Sequence, residues 1–541
     1  MGPGLRRGDQ RMSDEGLPHN LAGSSSPWLV AVTVGFAAFM EVLDISIANV
    51  ALQHIAGSLA ASADESTWVL TSYLVTNAIV LPISGWLAST IGRKRYFIAC
   101  IIGFSITSLL CGTASSLAVL IIARGLQGIT GGGLQPNAQA ILADTFPPAK
   151  RGMAFAAYGI AVVFAPAIGP TLGGWITDNF TWRWVFLLNV PVGILLSLLA
   201  GRVLTDPPEL VAQRKARLVA GLSLDYVGFA LLVLGMGALQ IVLDRGQEDD
   251  WFASAFITRL FIMSAVSLIG FLVWELRRAD PIVDLRLLAD RNFAVGNVLM
   301  FVLGFVLLAS TALLPLFVQA LLDYTATDAG MVISPGGFAL MLMMPVVGAL
   351  SAKIDARWLI ATGFVGCALA LYSMTRFDGE IDYVTIAWAR VYQSLPLALL
   401  FIPINTAALA AMPTAKSNNA SAIINMVRNI GGSVGISLAT TLIARREQYH
   451  QSVLVEHATS LSSQYNTVVH ALQRAYLSYS GSVVDALHRA QAQVYAMVQQ
   501  QAALLSFNDC FWLMAIILAA MVPLVLLMRR PPAGAAPALG H

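Results

Sequence analysis

Two carboxylates lie within the first long apolar run of the sequence. Glu41 and Asp44 stand three residues apart in the stretch FMEVLDISIANV, residues 39–50, and a helix places residues at that spacing on one face. A charge in the middle of a bilayer costs about 2.5–3.5 kcal/mol on insertion scales, so such side chains usually face an interior cavity. We therefore predict that the pair exchanges protons inside the protein. The alternative for either residue is a fixed polar contact to a neighbouring helix.

An arginine lies in a second apolar run, ARGLQGITGGGLQP, residues 123–136. A guanidinium stays charged in proteins, so inside a membrane it needs an anion or a carbonyl group as a partner. We predict that Arg124 pairs with Asp44 or Glu41 and tunes that carboxylate, with Gln127 on the same helix face. The alternative is an arginine that packs the helix by binding backbone carbonyls.

Further polar residues interrupt the apolar runs that follow. Arg390 and Arg428 each lie within such a run, and the sequence shows no evident partner for either. We predict a cavity for substrate that is lined by Gln127, Asn137, Arg390 and Arg428.

The composition indicates a membrane protein. Of 541 residues, 57% are hydrophobic and 11% are charged, whereas soluble proteins average about 25% charged residues. The net charge of +2 is too small to favour nucleic acid as a partner. The four cysteines form no CxxC pair, so neither a metal site nor a disulfide framework is predicted. The sequence contains no GxxxxGKS or GxxxxGKT pattern, which argues against ATP as the energy source.

Apolar runs long enough to cross a bilayer recur along the chain. A membrane helix needs roughly 20 mostly apolar residues, and we predict fourteen such spans. Most Lys and Arg residues outside the spans then fall on the side of the N-terminus, and this bias predicts that both termini are cytoplasmic. The predicted spans, numbered 1 to 14, are 28–51, 66–89, 96–114, 118–142, 153–177, 183–203, 224–243, 255–275, 293–318, 329–350, 357–374, 384–410, 421–443 and 508–528.

Two short matches indicate an internal repeat. LPISGWLASTIGRK (81–94) aligns with MPVVGALSAKIDAR (344–357), and ARGLQ (123–127) aligns with ARVYQ (389–393), at offsets of 263 and 266. The matches pair span 2 with span 10 and span 4 with span 12, so spans 7 and 8 are an insertion between two halves. Parallel repeats place a substrate path at the interface between the halves.

The repeat and the spans together predict the organisation of the chain. The predicted parts are a disordered cytoplasmic head (1–27), an N-terminal six-helix bundle (28–203), two inserted helices with linkers (204–292), a C-terminal six-helix bundle (293–528) that includes a far-side helical hairpin (445–506), and a cytoplasmic tail (529–541).

The hairpin is predicted from two apolar stripes at helical spacing in the long loop before the last span, with a turn at Gly481. It either caps the membrane part or docks a partner, and the sequence favours neither. The stripes are Leu454, Leu461, Tyr465, Val468, Leu472 and Tyr476, followed by Val484, Leu487, Val494 and Val498.

Span 5 has a pattern of prolines and glycines, GIAVVFAPAIGPTLGGWI, residues 159–176. Prolines bend a helix, and glycines four residues apart form a flat groove in which another helix can lie. The residues alone favour a packing helix. Those that define the pattern are Gly159, Pro166, Gly169, Pro170, Gly173 and Gly174.

Several stretches resemble signatures of one transporter family. Across residues 28–528 the chain resembles the fourteen-span drug:proton antiporters of the major facilitator superfamily, most closely the EmrB type. Asp44 matches the aspartate of that branch's first-span signature, and span 5 is similar to the antiporter motif of exporters. The stretches are VLDISIANVAL (42–52), RGLQGITGG (124–132), GIAVVFAPAIGPTLGGW (159–175), WRWVFLLNVPVG (182–193), LQIVLDRGQEDDWF (239–252) and PIVDLRLLADRNF (281–293).

The resemblance implies an all-α membrane protein with the major facilitator fold, in which 14 transmembrane helices form two six-helix bundles and two inserted helices. It implies proton-driven efflux of hydrophobic or amphipathic small molecules from a bacterial inner membrane, with the proton gradient in place of a cofactor and no enzymatic activity. EmrB-type members work with a periplasmic adaptor and an outer-membrane channel. Protons would load Asp44, coupled with Glu41, while Arg124 biases the exchange.

The loop between spans 2 and 3 departs from the superfamily pattern. That pattern reads G-x-L-A-D-R-x-G-R, and here Ser89 and Thr90 stand where its Asp and Arg would be. Gly85, Gly92 and Arg93 remain, and we predict that they form the gating loop.

Two other interpretations stay open. One is a proton-coupled importer on the same fold, against which the antiporter motif argues. The other is a transporter-like sensor or scaffold that uses the far-side hairpin for protein contacts, against which the intact cavity charges argue. The sequence does not identify the substrate.

Overall fold

The protein is helical throughout the part of the chain that the structure describes. A computed structural model describes residues 26–528, apart from 209, 213, 216–224, 279–280, 411, 414–415 and 480–481. No strand is assigned within those residues, in agreement with the predicted all-α class. The predicted head up to residue 25, the turn at Gly481 and the tail 529–541 lie outside the described residues.

Long helices account for most of the described chain. Short 3-10 helices lie at Trp251–Ala253 and Leu285–Ala289. The bounds of the α-helices are α1 (Pro27–Ser58), α2 (Ala63–Ile91), α3 (Arg93–Gly112), α4 (Leu117–Gly131), α5 (Leu134–Thr145), α6 (Pro148–Asn179), α7 (Trp184–Leu187), α8 (Asn189–Val203), α9 (Tyr226–Arg245), α10 (Ala255–Arg277), α11 (Arg291–Leu322), α12 (Ala326–Leu350), α13 (Ala356–Met374), α14 (Tyr383–Leu409), α15 (Ser417–His457), α16 (Ser463–Leu477) and α17 (Val483–Val525).

Most of the predicted spans coincide with helices that can cross a membrane. Twelve helical segments of the described chain are long and apolar enough to do so, and the bent helix α6 makes a thirteenth. Helices α4 and α5 together form one such segment, Leu117–Thr145, and α7 and α8 form another, Trp184–Val203.

The predicted span 13, residues 421–443, is a special case. It lies in α15, which is long enough to cross a membrane but less apolar than the twelve segments above. Asn425 and Arg428 contribute to this polarity, and both are buried inside the protein. A membrane helix tolerates polar side chains that face the interior of a bundle. The count of fourteen spans is therefore compatible with the structure and stays a prediction.

The helices pack in two groups that meet along two seams. In the first group α1 packs on α5, α6 and α8, while α4 packs on α2 and α3. In the second, α11 packs on α15, α14 packs on α12 and α13, and α17 packs on α13 and α15. The groups meet where α6 contacts α12 and where α15 contacts α2 and α5. Of the inserted pair, α9 contacts α2 and α15, and α10 packs on α9 with much of its apolar surface exposed.

Local sequence sets where helices begin and where the chain turns. Ser62 and Glu65 form a reciprocal capping box at the start of α2, and Thr325 and Asp328 form another at the start of α12. Such boxes satisfy N–H groups that have no partner within the helix. Gly92 joins α2 to α3 with φ of 101°, a conformation that favours glycine.

The two groups touch at the end of the molecule that carries the α2–α3 turn. A Cβ on Gly152 of α6 would come 2.7 Å from the carbonyl oxygen of Gly348 on α12. A Cβ on Gly85 of α2 would come 2.9 Å from the Cα of Asn419 on α15. Both approaches exclude a side chain, so these glycines allow the groups to close there.

The segment between predicted spans 13 and 14 differs from the predicted two-helix hairpin. Helix α15 continues without a break from Ser417 to His457, α16 is a separate short helix packed on α17, and α17 runs from Val483 into the last span. The first predicted stripe is therefore divided between two helices, and Leu461 in the break is 96% exposed. The physical reason is Ser462, whose side chain caps the start of α16.

Helices α11 and α15 cross at glycines. A Cβ on Gly304 of α11 would overlap the carbonyl oxygen of Arg428, and a Cβ on Gly431 of α15 would overlap the carbonyl oxygen of Phe301. The two backbones therefore touch directly. Close backbone approach through small residues is a main source of helix association in membranes.

We predict that Gly431→Ala destabilises the protein, because the new methyl group meets the backbone of α11, which cannot rotate away. Overpacking of this kind costs about 1–3 kcal/mol. The matched control is Gly201→Ala, since no atom lies within 4 Å of a Cβ at that position. Thermal unfolding in detergent should show a lower Tm for Gly431→Ala alone. Equal Tm values for the two variants would contradict this packing.

Candidate functional site

A buried ion pair joins α1 to α4. Arg124 on α4 donates from Nη1 to Oδ2 of Asp44 on α1 over 2.5 Å, and both side chains are 0% exposed. Buried charges are tolerated when they are paired and hydrogen-bonded. The structure therefore places Arg124 against Asp44, one of its two predicted partners.

Amide groups complete the surroundings of Asp44. Its Oδ1 accepts from Nδ2 of Asn189 at 2.7 Å and from Nε2 of Gln127 at 3.1 Å. Gln127 also accepts from Arg124 at 2.7 Å, so this predicted cavity residue belongs to the ion pair. Sequence reasoning missed Asn189 as a site residue, and its only signal was its place within WRWVFLLNVPVG.

The guanidinium of Arg124 is enclosed by two aromatic rings. Its central carbon lies 4.4 Å from the ring centroid of Tyr73 on α2 and 5.4 Å from that of Phe186 on α7, distances at which cation–π attraction operates. Its Nε donates to the carbonyl oxygen of Val69 at 3.2 Å. The charge is thus bound by a carboxylate, an amide, a carbonyl and two rings.

Glu41 lies one turn from Asp44 in a different setting. Its side chain is 2% exposed, and its Oε1 accepts from Nδ2 of Asn77 at 3.2 Å and from the hydroxyl of Tyr73 at 3.5 Å. Its Oε2 has no hydrogen-bond partner, and no cation among the described residues forms an ion pair with it. Asp44 therefore has a counter-charge and donors on both oxygens, whereas Glu41 has donors on one oxygen only.

Polar contacts cross between the two helix groups near Glu41. Arg428 on α15 donates from Nη2 to Oε1 of Gln135 on α5 over 2.5 Å, and its charge also acts on Glu41. One turn away, Asn425 donates from Nδ2 to Oε1 of Gln139 at 2.7 Å. The predicted cavity residue Arg428 therefore lies at the interface between the groups.

The other two predicted cavity residues lie apart from this cluster. Asn137 is buried, and its Nδ2 donates to the carbonyl oxygen of Gly133 at 2.7 Å, at the start of its own helix. Arg390 lies on α14 among hydroxyl and amide side chains. Within the residues that the structure describes, no group of three or more His, Cys, Asp or Glu side chains is placed to hold a metal ion.

Arg93 of the predicted gating loop connects both helix groups. It donates from Nη1 to Oδ2 of Asp144 on α5 over 2.5 Å and from Nη2 to Oγ of Ser417 on α15 at 2.9 Å. Ser89, which stands where the family's aspartate would be, donates to the carbonyl oxygen of Trp86. The acidic partner at this end is thus Asp144, which sequence reasoning missed because it lies outside the loop pattern.

Comparison with known proteins decides the family. The family model described as Major Facilitator Superfamily matches residues 34–436. The chain belongs to the Major Facilitator Superfamily.

Near-full-length relatives place it in the EmrB-type branch, as the resemblance implied. The chain is 37% identical over 508 residues to the multidrug export protein EmrB of Haemophilus influenzae, covering 94% of this chain and 96% of the relative. It is 37% identical over 512 residues to the fatty acid resistance protein FarB of Neisseria gonorrhoeae, covering 94% and 97%. The multidrug export protein EmrB of Escherichia coli is 35% identical over 508 residues, covering 94% and 96%.

Solved structures show the same fold. The proton:xylose symporter XylE superposes with a TM-score of 0.58 at 14% identity, covering 92% of this chain and 96% of that chain. The human organic anion transporter MFSD10 superposes with a TM-score of 0.54 at 12% identity, covering 92% and 100%. With its many apolar helices, the chain is a multi-pass membrane transporter of the superfamily and not an enzyme.

The proline- and glycine-rich helix α6 of this superfamily member is bent. Its segments Lys150–Pro166 and Ile168–Asn179 meet at 42°. Pro166 and Pro170 lie at the bend, where each lacks the N–H that a helix needs and clashes with the preceding turn.

The glycines of α6 differ in what they touch. A Cβ on Gly169 would overlap the side chain of Ser46 on α1, and a Cβ on Gly173 would come 3.0 Å from Cγ2 of Ile47. A Cβ on Gly159 would come 3.0 Å from Sδ of Met344 on α12, whereas Gly174 has no atom within 4 Å of such a Cβ. Gly169 and Gly173 therefore allow α1, the helix that carries both carboxylates, to pack closely against α6.

We predict that Gly169→Ala impairs transport and raises passive proton leak, because its methyl group pushes α1 away from α6. Gly174→Ala is the matched control, since its methyl group enters open space. Proton leak is measured in proteoliposomes with a trapped pH-sensitive dye after an acid jump. A leak that is the same in both variants would show that the contact with Ser46 does not seal this helix pair.

Proposed function

We propose that the protein exports hydrophobic or amphipathic small molecules in exchange for protons. The observation that carries this proposal is near-full-length similarity to proteins named for multidrug export in Haemophilus influenzae and Escherichia coli. Relatives named for fatty acid resistance and colistin resistance support the same class of amphipathic substrate. The buried carboxylates of α1 supply the proton-binding groups that such an exchange needs.

The two carboxylates have different roles. Asp44 is paired with Arg124 and accepts from two amides, so its charge is compensated within the protein. Glu41 has no ion-pair partner among the described residues and one oxygen without a donor, so a proton on that oxygen removes a buried charge that no ion pair compensates. We therefore assign the exchanged proton to Glu41 in place of Asp44, the residue that the resemblance implied, and the Asp44–Arg124 pair holds α1 in place beside it.

Protonation of Glu41 acts on the interface between the halves. The charge of Arg428 on α15 faces Glu41 from the other half. A proton on Glu41 cancels that attraction, so the relative stability of the closed and open arrangements changes with proton binding. Substrate leaves toward the proton-rich side, and loss of the proton toward the cytoplasm permits the next substrate to bind.

The transporter resides in a bacterial inner membrane with both termini in the cytoplasm, as the distribution of Lys and Arg favours. The closed end with Arg93, Asp144 and Ser417 is then the cytoplasmic end. Helix α16 and the extensions of α15 and α17 are periplasmic. A periplasmic adaptor that leads to an outer-membrane channel binds the exposed apolar residues of this segment. These residues include Leu461, Tyr479 and Val484.

We predict that Glu41→Gln and Asp44→Asn fail in different ways. In proteoliposomes loaded with a fluorescent lipophilic cation, Glu41→Gln should lose uphill export driven by a pH gradient. It should keep exchange of labelled for unlabelled substrate only at high substrate concentration, because the neutral side chain weakens substrate binding. Asp44→Asn leaves Arg124 buried without its counter-charge, which costs about 3–5 kcal/mol, so it should lose both activities and have a lower Tm. Uphill export at the wild-type rate in Glu41→Gln would exclude Glu41 as the proton carrier.

We predict that Leu461→Asp combined with Val484→Asp reduces drug resistance of cells but leaves export by proteoliposomes intact, because the adaptor is needed only in the cell. Gln499→Asp adds a charge at another exposed position of α17 and serves as the control. Equal loss of activity in cells and proteoliposomes would show that this segment supports the transporter itself.

A further inference from the structure

The ion pair of the first half has a counterpart in the second half that lacks the acid. Arg390 and Gln393 lie 266 positions after Arg124 and Gln127, and the position 266 after Asp44 is Ser310. The contacts are repeated as well. Arg390 donates from Nη1 to Oε1 of Gln393 at 2.6 Å and to Oγ of Ser310 at 3.2 Å, as Arg124 does to Gln127 and Asp44.

Arg390 is a buried cation whose described partners are all neutral. Its side chain is 5% exposed, and its Nη2 donates to Oγ1 of Thr311 at 3.0 Å. Its Nε has no hydrogen-bond partner, and it forms no ion pair with any residue that the structure describes. Hydroxyl and amide oxygens satisfy donors but do not neutralise a charge, so the guanidinium keeps most of the cost of its burial.

Arg390 differs from the other two arginines buried within the spans. Asp44 neutralises Arg124 within the first half, and Arg428, which forms no ion pair with a described residue, interacts electrostatically with Glu41 across the interface. Nothing of opposite charge faces Arg390 among the described residues. Thr311, which accepts from its Nη2, is partly exposed.

We propose that Arg390 binds the carboxylate of an anionic amphiphilic substrate, in the position that Asp44 occupies beside Arg124. This rests on the proposed export function and names one substrate class for it. A carboxylate there accepts a charge-assisted hydrogen bond from the guanidinium, as Asp44 does from Nη1 of Arg124, and such bonds are roughly twice as strong as neutral ones. The short side chain of Ser310 leaves the carboxylate position to the ligand, while a substrate without an anionic group does not use the site.

The test introduces an acidic side chain at position 310. Ser310→Asp recreates the arrangement of the first half and fills the anion position, and Ser310→Asn adds a side chain of the same size without charge. The probes are dodecanoate and dodecyltrimethylammonium, which share an alkyl chain and differ in the sign of the head group. Binding of each radiolabelled probe to the purified full-length protein is measured by scintillation proximity.

The expected result is a change in the ratio of the two affinities. Ser310→Asp should lower the affinity for dodecanoate relative to the cation by about tenfold or more, equivalent to ~1.4 kcal/mol, and Ser310→Asn should leave that ratio unchanged. Ser310→Asp that keeps the wild-type ratio overturns the proposal. Wild-type protein that binds the cation but not dodecanoate also overturns the proposal. Wild-type protein that binds and transports neither probe contradicts the export function itself.

A second pair of variants keeps the proposal testable if Ser310→Asp does not fold. Arg390→Lys retains the charge and Arg390→Gln removes it, and Tm values establish that each is folded. Dodecanoate binding should fall about tenfold more in Arg390→Gln than in Arg390→Lys, with no such difference for the cation. Equal dodecanoate binding by the two variants overturns the assignment.

Discussion

The buried pair of Asp44 and Arg124 is the interaction on which the first half of the transporter depends. A guanidinium within a membrane protein must find its counter-charge and acceptors inside the protein. Here the carboxylate of Asp44 comes from α1 and the carbonyl of Val69 from α2, and the amide of Asn189 on α8 donates to that carboxylate. These helices are thereby fixed around one charged group, and α1 presents Glu41 toward the interface with the second half.

The two halves repeat one helix arrangement with different interior charge. The first half buries two acids and one arginine within its spans, whereas the second has Ser310 at the position of Asp44 and contributes Arg390 and Arg428. Contacts between the halves combine glycine-mediated backbone packing with polar bridges such as Arg428 to Gln135. Apolar side chains also pack across this interface, as where Tyr158 stacks on Phe401. A single proton on Glu41 changes the electrostatics of the interface.

The sequence identified the buried charges but not most of their contacts. Charges within apolar runs are costly, so Glu41, Asp44 and Arg124 stand out, and glycine spacing predicted the groove in α6 that receives α1. Asn189 and Asp144 were missed because one amide or one carboxylate near a helix end is common, and only the fold shows what it meets. The far-side segment differs from the predicted hairpin because its apolar residues keep a helical spacing on both sides of Ser462. That spacing hides the break at which a new helix begins.

The central claim is that Glu41 gives up a proton when substrate binds from the cytoplasmic side. The most direct measurement is proton release by purified protein in weakly buffered detergent solution, followed with a pH-sensitive dye as substrate is added. Wild-type protein should release about one proton per bound substrate near neutral pH. Glu41→Gln resembles the protonated side chain, so it should bind substrate more weakly and, at saturating substrate, without proton release. The same release in Glu41→Gln as in wild type would contradict the account and assign the proton to another group.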